Sequence, residues 1–161
     1  GFKDMFGEDI DLSLRIQKAG FHTVLIRDAF VYHKRRVSFR SFYRQVSVFG
    51  RARVDLYLLH PESLKIVHLL PAAFVLGSLI LILLSFFCIW ALLPLIVYFF
   101  ALFFESLVCN HSLRIAGLSV LTSIIQLGGY GIGFLSAFIK KVVFRQTGDL
   151  NADLERLYKK K

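Results

Sequence analysis

From Leu64 to Val108 the chain runs through about 45 residues almost without charge, and no other feature limits its fold so tightly. Between Leu69 and Val108 the only ionisable side chains are Cys88, Tyr98 and Glu105. One membrane crossing takes about 20 apolar residues, so this length suits a hairpin of two helices. Trp90 and Pro94 mark the expected break, an aromatic residue of the interfacial kind beside a helix breaker. A second apolar stretch, Gly117–Ile139, carries Gln126 and four glycines between Gly128 and Gly133. That composition suits either a third crossing or a re-entrant segment packed within protein.

Charge divides the chain in the same way. Residues 1–68 hold 12 of the 20 Lys and Arg and 7 of the 11 Asp and Glu. The net charge of +9 calls for an anionic partner, and beside such apolar runs that partner is a membrane surface. No zinc-module, helix-turn-helix or RNA-binding signature is present, and nucleic acid is not expected as a partner. Cys88 and Cys109 lie in or beside apolar segments and read as buried small hydrophobes, outside any disulfide framework. Basic residues flank the apolar block at Arg51, Arg53 and Lys65, and again at Lys140, Lys141 and Arg145. The positive-inside rule puts these flanks in the cytoplasm, which three crossings would violate and a re-entrant third segment would satisfy.

The polar part begins with GEDIDLSLRIQKAG, residues 7–20. Glu8, Asp9 and Asp11 crowd one end, Arg15 and Lys18 the other, and Gly20 stands where a left-handed cap belongs. Ile10, Leu12, Leu14 and Ile16 also alternate as in a strand, but the caps and charges favour a helix. Asp11 and Arg15 are spaced as an i,i+4 pair. His22–Ile26 and Ala29–Tyr32 read as two short strands joined by a turn at Arg27-Asp28. From Ser38 to about His60, Phe39, Phe42, Tyr43, Val46 and Phe49 form an aromatic-apolar stripe, with Arg36, Arg40 and Arg44 on another face. This is the pattern of an interfacial helix, ended by Pro61.

These elements in this order carry a resemblance. An Glu-Asp pair opening a helix DLSLRIQKAG, a segment ending AFVYH, then Gln45 and GRAR, resembles the C-terminal part of a membrane-bound family-2 glycosyltransferase over residues 1–60. The fold class expected is an α/β remnant of a nucleotide-sugar-binding glycosyltransferase domain followed by transmembrane α-helices. The divisions are a catalytic fragment at 1–37, an amphipathic interfacial helix at 38–62, a helical hairpin at 63–109, a third apolar segment at 110–139 and a basic cytoplasmic tail at 140–161. The opening reads as mid-domain, so the chain is expected to be a fragment, inactive without an upstream donor-binding half.

The resemblance implies an inverting transfer of sugar from a nucleotide-sugar to a lipid-linked or cell-surface glycan acceptor in the cell envelope. The enzyme would be integral to the membrane, with its catalytic part on the cytoplasmic face. A hydroxyl is a poor nucleophile until a carboxylate removes its proton. Asp9 matches the family's catalytic base and Glu8 would orient it or the acceptor. Arg35 and Arg36, with Arg40 and Arg44, could meet the charge on the leaving diphosphate; for Arg40 and Arg44 anionic lipid head groups are the favoured partner. Gln45 and Arg51 are similar to the Gln-x-x-Arg-Trp element of processive members, here with different spacing and no Trp, and are candidates for substrate binding. His33 stands where related enzymes supply a ligand to a divalent metal, Mg or Mn, whose main ligands would lie outside this chain. A non-enzymatic membrane scaffold or transporter subunit would share the charge asymmetry and the apolar segments, but not this ordered set of motifs.

Overall fold

A computed structural model describes residues 7–32 and 38–144, leaving out the side chain of Glu8. Five helices follow in chain order: α1 Glu8–Lys18, α2 Phe39–Leu59, α3 Leu70–Leu84, α4 Leu93–Asn110 and α5 Leu113–Phe138. Short 3₁₀ turns at Pro61–Ser63, Ile66–His68 and Ile89–Leu92 join them, and a π-helical turn, Ile139–Val143, extends α5.

The local signals set the helix ends. Gly20 takes φ +85°. Its N–H bonds to the Gln17 carbonyl at 3.0 Å and that of Phe21 to Ile16 at 3.2 Å, the paired bonds of a glycine-terminated helix. Ser38 caps α2 by accepting from the Ser41 N–H at 3.2 Å. Pro61 follows the last turn of α2 and opens the next 3₁₀ turn. The apolar hairpin opens between Ser85 and Leu92, ahead of Pro94.

The expected α/β character is not found. Among the described residues there is no strand and no sheet. His22–Ile26 and Ala29–Tyr32 lie in irregular chain on either side of the expected turn, where the Ala29 N–H reaches the Ile26 carbonyl at 3.3 Å. β-rich composition expresses a fit to a half-buried pleated surface, and these residues meet no such surface. Leu25 is 99 % exposed and Tyr32 95 %, so nothing is buried on either side. The cysteines also differ from expectation: Cys88 and Cys109 are free and exposed on the chain's own surface.

α5 is the centre of the packing, touching α2, α3 and α4, and α2 most extensively. Backbone meets backbone there. A Cβ placed at Gly50 of α2 would overlap the Tyr130 carbonyl and lie 2.8 Å from the Phe134 nitrogen. One placed at Gly133 of α5 would overlap the Ser47 carbonyl, and one at Gly129 would lie 2.6 Å from Val46. Gly129, Gly133 and Ala137 repeat every four residues, a small-residue stripe that lets two helices approach closely. The glycine run therefore serves contact and does not break the helix. Val54, Ala72, Phe134 and Ala137 form the buried core beside this crossing, with Leu58, Tyr130 and Phe138 packed around it.

Outside the core the apolar helices face outward. Ile89–Asn110 and the 31-residue stretch Leu113–Val143 are each long and apolar enough to cross a membrane. α3, with 15 residues, is shorter than such a crossing.

Gly50→Ala and Gly133→Ala should each destabilise the α2–α5 pair by about 1–3 kcal/mol through overpacking. Gly117→Ala, whose added methyl would meet nothing within 4 Å, should be neutral or stabilising by up to about 1 kcal/mol. Thermal unfolding in detergent, followed by circular dichroism, measures all three; equal effects would remove the close-approach argument.

Candidate functional site

α1 is held to the rest of the chain mainly by charge. Acidic residues near its start and basic ones near its end suit the helix dipole. Asp11 is turned inward, 3 % exposed, against His60, 5 % exposed, at the end of α2. The Asp11 Oδ1 to His60 Nε2 distance is 2.7 Å. Arg15 Nη2 closes on Asp11 Oδ2 at 2.9 Å, the expected i,i+4 pair. Lys18 Nζ lies 2.8 Å from His60 Nδ1 and 2.6 Å from Glu62 Oε1. An ammonium can only donate, so Nδ1 accepts and the ring proton sits on Nε2, donating to Asp11. The result is a directed chain from Lys18 through His60 to Asp11, with Glu62 flanking it. Apolar contact adds little: the Gly7 backbone rests near Leu56 and Ala52 of α2.

This anchoring decides where Asp9 goes. Two residues turn about 200° around an α-helix, so burying Asp11 sends Asp9 to the opposite side. Asp9 is exposed there, its carbonyl accepting from Ser13 Oγ at 2.8 Å. Glu8 shares the first turn.

Gln45 and Arg51 stand apart. Six residues separate them on α2, about 240° around the helix, so they occupy different faces. Gln45 is partly buried. Arg51 is exposed, donates from Nη2 to Ser47 Oγ at 3.2 Å, and borders a cleft of about 340 Å³ between α2 and the end of α5. Asp55, Ser136, Lys140 and Lys141 line the same cleft, which Asp9 does not. Lys141 is ion-paired with Asp55 across it. His33, Arg35 and Arg36 lie outside the described residues.

The structure thus separates the proposed base on α1 from the basic cleft. Among the described residues no three His, Cys, Asp or Glu side chains gather where a metal could be held. The ligand expected from this chain, His33, lies outside the described residues.

Among the described residues outside the apolar helices, two groups carry displaced acidities. The Lys18 ammonium, helped by a backbone hydrogen bond, holds the Glu62 carboxyl below its ordinary 4.5. Burial, then the charges of Arg53 and Lys65, pushes the His68 imidazole below its ordinary 6.5.

His60 was not singled out by sequence. It sits 49 residues from Asp11, and only its place before Pro61-Glu62, at the close of a helix, could have drawn notice. Lys140 and Lys141 read in sequence as a topological flank; their convergence on Arg51 depends on the α2–α5 crossing.

The model of the family described as "Glycosyl transferase family group 2" matches residues 1–104, which take in α1, α2, α3 and much of α4. Comparison with curated proteins and with solved structures yields no match.

His60→Ala leaves a buried carboxylate with half its partners, a loss of about 3–5 kcal/mol that release of α1 would relieve. Hydrogen exchange should then show residues 8–18 unprotected while α2 and α5 keep their protection; Asp9→Ala should change neither. Glu62 supplies a pH test of the same dock. A carboxyl lowered in the folded chain stabilises above its ordinary value, and that contribution fades as pH falls through the lowered one. Protection of α1, taken as the ratio of intrinsic to observed exchange rate, should therefore fall as pH drops below 4.5, and Glu62→Gln should lessen that acid dependence.

Proposed function

We propose that this chain, which belongs to glycosyl transferase family group 2, takes part in inverting transfer of a sugar from a nucleotide-sugar to a hydroxyl of a lipid-linked or cell-surface glycan acceptor. The observation that carries the reading is the presentation of Asp9: exposed on the first turn of a helix whose opposite side is fixed by the buried Asp11–His60 pair. A base for an incoming hydroxyl has to be both reachable and held still, and this arrangement supplies both.

In this reading the Asp9 carboxylate takes the acceptor proton as the hydroxyl oxygen bonds to the anomeric carbon. The bond from that carbon to the diphosphate breaks with its electrons on the departing oxygen. Glu8 orients the acceptor or the base. Arg35 and Arg36 offset the charge growing on the diphosphate; Gln45 and Arg51, expected to bind substrate, occupy different faces of α2, and Arg51 borders a cleft that Asp9 does not line.

The setting is a membrane. Two long apolar helices present their side chains outward, and α2 carries exposed Arg40, Arg44 and Arg51 beside them, the composition of an interfacial helix. We place the catalytic part on the cytoplasmic face, following the basic flanks. Anchorage there brings a membrane-borne acceptor close and contributes proximity.

Asp9→Asn is the decisive variant. In native membranes, incorporation from a panel of radiolabelled nucleotide-sugars should fall roughly 10²- to 10⁴-fold, the usual contribution of a general base. Donor binding and thermal stability should hold, since Asp9 is exposed. Undiminished incorporation would remove Asp9 as the base.

A further inference from the structure

We propose that the cleft between α2 and the end of α5 binds the phosphate group of an anionic amphiphile. At about 340 Å³ the cleft lies in the size range of small-ligand sites. Three cations, Arg51, Lys140 and Lys141, and one carboxylate, Asp55, line it. Lys141 is taken up by Asp55, which cancels that carboxylate and leaves a surplus from Arg51 and Lys140. The Ser136 hydroxyl donates to the Gly133 carbonyl at 2.9 Å, so donors to an anion come from the two cations. Ser47 accepts one Arg51 N–H at 3.2 Å and steadies the guanidinium, whose other N–H groups remain available. A guanidinium held this way matches a phosphate in geometry and charge.

The backbone adds its own sign. Lys140 and Lys141 lie on the π-helical turn, closed by the Phe144 N–H to the Ile139 carbonyl at 3.0 Å. Such wide turns are rare and frequently found at functional places. This half of the cleft also falls beyond residues 1–104, so the family match does not supply it.

Apolar chains attached to the phosphate are indicated by the neighbours of the two lysines along the chain. On the same turn as the lysines, Ile139, Val143 and Phe144 are 46 %, 60 % and 66 % exposed. Free phosphate would leave these exposed apolar side chains unused. The inference rests on the membrane reading above and is independent of the transfer chemistry.

The full chain is reconstituted in phosphatidylcholine nanodiscs, where co-elution and a helical spectrum check the membrane reading by itself. Nanodiscs doped with phosphatidic acid or with the uncharged diacylglycerol are then compared by native mass spectrometry for lipid retained on the ejected protein. Phosphatidic acid should be retained at least about tenfold better, as charge-assisted bonds to a phosphate require. Arg51→Gln with Lys140→Gln should abolish the preference, whereas Lys65→Gln with Arg114→Gln, an equal loss of charge at other exposed positions, should keep it. Equal losses in the two double variants, or no preference in the parent, would overturn the proposal. Displacement of the lipid by inorganic phosphate at matching concentration would overturn the amphiphile and identify free phosphate as the occupant.

Discussion

The close passage of α2 across α5 is the constraint on which the remaining structure depends. With no Cβ at Gly50 and Gly133, the helices meet at their backbones, and Val54, Phe134 and Ala137 can close a core beside them. Dispersion between surfaces in such contact is what associates helices where burial from water offers little. The same crossing sets the end of α2, and with it His60, and brings Arg51 beside the final turns of α5. Both candidate sites are downstream of one glycine-mediated approach.

Holding α1 through charge rather than apolar packing has a different character. A buried carboxylate is costly alone and tolerable only when its partners are in place, so the Asp11–His60–Lys18 chain specifies position more than it adds stability. The helix is consequently well aimed and lightly fastened. Its exposed face, with Asp9, is held in an orientation fixed from behind by a side chain at the far end of α2.

What could be read in the sequence was what is decided locally. Ser38, Pro61 and Gly20 declare helix ends through their own hydrogen bonding and dihedral restrictions, and the structure puts ends there. The 22–32 segment misled because Val, Ile, Phe and Tyr favour strands only when a pleated neighbour exists to receive them, and the described chain offers none. His60 was illegible because nothing near it in sequence reveals a partner 49 residues away. The glycines of α5 were half legible: their suitability for close packing within protein was plain, but that Gly50 would be the counterpart was not. Of the candidate site, Asp9 and the Asp11–Arg15 pair could be placed on one helix from spacing alone; the cleft at Lys140 could not, since it exists only once two distant helices cross.

The continuity of α5 with its π-helical extension sets a vertical scale for the assembly. At 1.5 Å per residue, 31 residues make a rod of about 46 Å, against a hydrocarbon slab of about 30 Å. The mismatch amounts to roughly ten residues, too many for a modest tilt to absorb. A bilayer accepting this rod from its Leu113 end would release it near Gly133, the level at which α2 crosses. In such a bilayer the protruding length would stand as a mast through the head-group layer, and that overhang would set the height of the polar elements.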